Sequence, residues 1–91
     1  MPANLYASYI GSTHVTLNWV KSTDNVAVKM YLIERCQGSA CTNFVQVATS
    51  TSSYWRNGGL ITGTTYRYRV RAMDAAGNRS SYSNELSVTT K

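Results

Sequence analysis

The chain reads as an all-β domain of seven short strands in two packed sheets. Three observations lead there. Apolar residues recur at every second position almost throughout, and no stretch holds a helical repeat for three turns. Seven Tyr and two Trp sit among many Thr, Ser and Val, the aromatic and β-branched types that suit a pleated, half-buried surface. Polar turn segments interrupt the alternation about every 8–12 residues, the spacing of a β-sandwich.

The strands follow in order. Leu5 and Ala7 alternate with Tyr6 and Ser8, and Gly11-Ser12-Thr13 turns the chain. Val15, Leu17 and Trp19 alternate with Thr16, Asn18 and Val20. Residues 21–25 are polar and loop-like. The third strand covers 28–35, with Tyr31 and Ile33 on one face; the fourth covers 44–48 and the fifth 54–56. The sixth, 66–73, has the clearest alternation: Tyr66, Tyr68, Val70 and Ala72 against Arg67, Arg69, Arg71 and Met73. After the loop Asp74 to Asn78, the last strand covers 85–90, with Leu86 and Val88 inward.

Length and composition set the bounds. Ninety-one residues make one domain, 1–91, with a thin core. Hydrophobic residues are 43% and charged residues 14%, too apolar and too uncharged for a disordered segment. The single Pro is at position 2, so no strand loses a donor to it. No apolar run approaches the roughly 20 residues of a spanning helix, and no membrane partner is expected. Met1-Pro2 and the terminal Thr89-Thr90-Lys91 read as the bounds of one module taken from a longer chain, without a leader segment. The formal charge of +5 reads as a solubility feature. No nucleic-acid partner is expected; phosphate binding by three alternating arginines would carry a steep salt dependence.

Cys36 and Cys41 enclose four residues, a hairpin-loop length between strand-like runs. Neither zinc nor redox spacing is present. A disulfide across the base of the hairpin is expected, which implies an oxidising compartment. The alternative is two free thiols.

These residues resemble a known family. Leu17-Asn18-Trp19 resembles the second-strand Leu-x-Trp of fibronectin type III domains, and Tyr31 to Arg35 their third strand. Residues 60–72 resemble the family's most specific stretch. The resemblance implies an immunoglobulin-like sandwich with Trp19 in the core and Tyr66 as the tyrosine corner. The loop residues 23–26, the Cys36 to Cys41 hairpin, Asp74 to Asn78 and Ser83-Asn84 are similar to one branch, modules of secreted bacterial chitinases and cellulases. That branch implies an extracellular, non-catalytic accessory or spacer module with neighbouring domains. The chain departs from the family at Tyr6, Tyr9, Met30 and Leu32, where small or polar residues are usual, and at Trp55, where Tyr or Phe is usual. It lacks Arg-Gly-Asp, so integrin binding has no basis.

Catalytic chemistry has little to work with. The carboxylates are Glu34, Glu85, Asp24 and Asp74, and the two aspartates sit in turn contexts where the side chain bonds its own backbone. His14 is the only histidine, at the outward start of a strand. Gly58-Gly59 is followed by neither Lys-Ser/Thr nor a helix. No enzyme activity, cofactor or metal site is expected.

Three surfaces remain as candidates for a protein or polysaccharide partner. The first is the outer face of strands three and six, with Met30, Leu32, Glu34, Arg67, Arg69 and Arg71, read as exposed and interface-like. The second is the outer face of strands one, two and five, with Tyr6, Tyr54 and nearby Tyr9. The third is the loop end, with Asp24, Arg79 and Tyr82. The unusual Met30 and Leu32 motivate an alternative role, a natural or engineered protein-binding module.

Overall fold

The computed structural model describes residues 3–20 and 28–91. The described chain forms β1 (Ala3–Ile10), β2 (Val15–Val20), β3 (Val28–Gln37), β4 (Val45–Ser50), β5 (Tyr54–Asn57), β6 (Thr65–Asp74) and β7 (Leu86–Thr89). These pair as a three-stranded sheet, β1-β2-β5, and a four-stranded sheet, β4-β3-β6-β7. All pairings are antiparallel. Strand positions follow the alternation in the sequence, with end shifts of one or two residues.

The core is the inner face of both sheets. Val15, Leu17 and Trp19 from β2 meet Tyr31 and Ile33 from β3 and Tyr66, Tyr68 and Val70 from β6. The Trp19 indole meets the Tyr31 ring edge-on, with centroids 5.4 Å apart. Trp55 packs against this cluster, so the larger ring is accommodated. Tyr66 is the expected corner: its hydroxyl accepts a hydrogen bond from Ile61 N at 2.9 Å, five residues upstream.

The core is not purely apolar. Arg35 points inward opposite Tyr68. Its guanidinium donates to Asn57 Oδ1 at 2.9 Å and lies 5.3 Å from the centre of the Tyr66 ring. Tyr68 Oη donates to the same Asn57 oxygen at 2.7 Å. Asn57 on β5 therefore ties the two sheets together through one carbonyl.

Residues 79–85 run beside β6 without joining a strand. Pairing of β7 with β6 ends at Leu86 opposite Tyr68, which leaves the Val70 and Ala72 backbones without a strand partner there. Two serines supply what is missing. Val70 N donates to Ser83 Oγ at 3.0 Å, and Ala72 N donates to Ser80 Oγ at 2.9 Å. Ser83 N and Ser80 N donate back to the Val70 and Ala72 carbonyls. Asn84 reaches the other sheet: its side-chain amide accepts from Leu5 N and donates to Leu5 O, as a strand backbone would.

Cys36 and Cys41 are bonded, as expected. The hairpin differs from the expectation. Arg35 pairs with Val45, so the connection from β3 to β4 is longer than the four residues between the cysteines. Cys36 continues β3 opposite Arg67 of β6, while Cys41 lies in the loop. The bond pins the loop to β3 rather than closing a strand pair. Gly38, at φ 114°, makes the bend that an L side chain rarely adopts.

Candidate binding surface

The outer face of β3 and β6 is built by cross-strand pairs. Met30 faces Met73, Leu32 faces Arg71, Glu34 faces Arg69 and Cys36 faces Arg67. The sequence places these residues on one face, and the structure brings them together. It does not leave them exposed. Leu32 is 2% exposed and Glu34 6%. The expectation of an open, interface-like face around Leu32 is therefore corrected.

What covers the face comes from far along the chain. Tyr82 Oη donates to Glu34 Oε2 at 2.8 Å, across 48 residues of sequence. Arg69 donates from Nε to Glu34 Oε1 at 2.9 Å, and its terminal nitrogen stands 2.8 Å from the same oxygen. The Arg71 guanidinium is 3.7 Å from the second oxygen. Cations and rings then stack. Arg69 lies 4.3 Å from the Phe44 centroid and 3.8 Å from that of Tyr82, and Arg71 lies 4.6 Å from Tyr82. Arg67 donates to the Cys41 carbonyl and pairs with Glu85. Burial, the bond to Glu34 and the Glu34 charge push the Tyr82 phenol up, against the pull of Arg69 and Arg71. The phenol stays a donor at neutral pH. The face is a lid of mutually bonded polar groups, with the three arginine side chains still 18–25% exposed and Arg71 Nε left without a partner among the described residues.

At the loop end, Asp24 lies outside the described residues. Asp74 caps its own turn: Oδ1 accepts from Ala76 N at 3.0 Å and Asn78 N at 2.9 Å. The Asn78 backbone and side-chain donors hold its carboxyl below the ordinary value. Arg79 is exposed, whereas Tyr82 is committed to the lid. His14 is half-buried and stacks on Tyr9, with centroids 5.0 Å apart. Among the described residues, no group of three or more His, Cys, Asp or Glu stands as metal ligands would.

The open face is that of β1, β2 and β5. Tyr6 pairs with Asn18 and Asn18 with Tyr54, so the three form one row across the sheet. Tyr6 is 53% exposed and Tyr54 58%. Asn18 Nδ2 donates to Ser8 Oγ at 2.6 Å, which fixes the amide between the rings. The next row holds Tyr9, Thr16 and Arg56. Bulges flank Tyr6 in β1, and Asn4 takes a left-handed φ of 54° at the first of them.

The family profile for the fibronectin type III domain matches residues 1–89. The chain belongs to the fibronectin type III family. Chitinase D of Niallia circulans is 43% identical over 88 residues, covering 97% of this domain and 16% of that protein. Exoglucanase B of Cellulomonas fimi is 40% identical over 91 residues, covering 100% and 8%. The domain spans between 6% and 16% of the length of eight curated relatives that match it. Among solved structures, an Fn3-like protein from Clostridium thermocellum superposes with a TM-score of 0.80 at 24% identity, covering 99% of this domain and 91% of that chain. That likeness supports the fold. The relatives show that fibronectin type III domains close to this one are parts of larger glycoside hydrolases.

Proposed function

We propose that this domain is a non-catalytic accessory module that spaces other domains in a secreted bacterial polysaccharide-degrading enzyme. One observation carries the reading: the chain enters and leaves at opposite poles. Lys91 N donates to the Gly11 carbonyl, immediately beyond the far end of β1, while β1 begins at Ala3 at the other pole. Eight residues of strand separate those points, about 25 Å at 3.2–3.4 Å per residue. The long dimension of the molecule is 40 Å. A module threaded this way adds length between its neighbours. The size of the relatives fits a role beside other domains. The Cys36–Cys41 bond fits an oxidising, extracellular setting.

The test places the domain between a chitinase catalytic domain and a chitin-binding domain. Replacing it with a flexible Gly/Ser linker should lower hydrolysis of insoluble chitin and leave soluble oligosaccharide turnover unchanged. Equal activity of both forms on insoluble chitin would overturn the spacer reading. Sugar release by the isolated domain would overturn its non-catalytic half.

A further inference from the structure

We infer that the outer face of β1, β2 and β5 is a glycan-binding strip for an extended, neutral, β-1,4-linked polysaccharide. The strip is the row Tyr6, Asn18 and Tyr54, with Ser8 beside it. The inference rests on the accessory-module reading, which supplies a polysaccharide without fixing its linkage, since the relatives include an alpha-amylase beside chitinases and an exoglucanase. The row adds where the domain touches it and selects an extended chain.

The chemistry comes from the row itself. A pyranose ring has an apolar face of C–H groups and a rim of hydroxyls. An exposed tyrosine offers an apolar ring with a polar tip. Neighbouring strands lie about 4.8 Å apart, so the backbones of Tyr6 and Tyr54 stand two strand spacings apart, on the order of 10 Å. That separation is on the scale of two sugar units. An amide carries two donors and one acceptor, and the Ser8 bond uses one donor of Asn18. The middle of the row can therefore address hydroxyls while the two rings meet sugar faces.

Charge supports the choice of ligand. The row and Ser8 carry no cation or carboxylate, and the adjoining row adds one cation, Arg56, and no carboxylate, which suits a polymer recognised by its rings and hydroxyls rather than by charge. The arginines of β6 lie on the other sheet and are engaged with Glu34, Glu85 and the rings of Phe44 and Tyr82. The geometry also selects shape. A row on an open sheet fits a flat, extended chain better than a helical one.

The test uses affinity electrophoresis of the whole domain in gels containing hydroxyethylcellulose, glycol chitin or soluble starch. The first or second polymer should retard the domain, and starch should retard it less. Tyr6→Ala and Tyr54→Ala should each weaken retardation by about tenfold, the loss of roughly one aromatic contact. The double variant should migrate as in a polymer-free gel. Ile61→Ser, on an exposed residue outside the row, should behave as the parent. Amide shifts of residues 6, 18 and 54 should move on addition of a β-1,4-linked oligosaccharide, which reads the site without a variant. No retardation by either β-linked polymer would overturn the inference. So would retardation that survives the double variant, or equal retardation by starch. None of these outcomes touches the spacer test, which reads the linker replacement.

Discussion

Leu32 and Tyr68 stand on opposite faces of the larger sheet, and both are closed off from water. Leu32 lies between Arg71 of β6 and Thr49 of β4, next to the cluster that Tyr82 and the arginines build on Glu34. Leu32→Ala should therefore cost about 2–5 kcal/mol, as for a core leucine, read as a lower urea midpoint. Tyr54→Ala, on the open face, should stay within about 0.5 kcal/mol in the same assay. Tyr68 gives a pH signature. Burial pushes its phenol up to about 12, with the Arg35 cation pulling the other way. A raised folded value means its stabilisation is whole below the unfolded value near 10. It is lost as pH rises from there toward about 12. Spectrophotometric titration should show one tyrosine ionising only as the domain unfolds. Asp74 runs the other way. Its carboxyl is held low by Asn78, so its contribution is present above the ordinary carboxylate range and is lost as pH falls through the depressed value. An NMR titration of Asp74 should place it below the usual aspartate value.

At the scale of elements, the segment from Ser80 to Asn84 does three jobs with successive side chains. Ser80 and Ser83 complete β6, Tyr82 stacks on its outer arginines, and Asn84 holds β1. Ser83→Ala leaves the buried Val70 N–H without that acceptor and should destabilise by about 1–3 kcal/mol. Replacing both Cys36 and Cys41 by Ser should cost only about 2 kcal/mol, because the closed loop is short. Both are checked by chemical denaturation, the second against the oxidised parent. The two sheets were legible in the sequence because their signal is local. Alternation in β2 and β6 states which side chains share a face, and Trp19 and Tyr66 sit in motifs with fixed geometry. What covers a face is not local. Period two puts Leu32 and Glu34 outward correctly, but Tyr82 arrives from 48 residues away. Arg35 is also inward by period, yet its partner Asn57 lies on another sheet. It reads as a turn residue beside Gly58-Gly59. The tyrosine row was half legible. Alternation exposes Tyr6 and Tyr54, but only the register puts Asn18 between them.

As a whole, the described molecule is elongated and carries the exposed tyrosine row on one sheet face. The dimensions are 40 × 23 × 19 Å, and the two ends of the described chain lie at opposite poles. Length comes from the direction of β1 relative to the final segment, independently of any ligand. The open tyrosine row lies on the side of the molecule, where neighbours attached at the poles leave it accessible. The most direct measurement is small-angle X-ray scattering from two copies joined head to tail by a short linker. Opposite poles predict a maximum dimension near twice the 40 Å of a single domain, in an elongated particle. A compact pair folded side by side, little longer than one domain, would contradict the account.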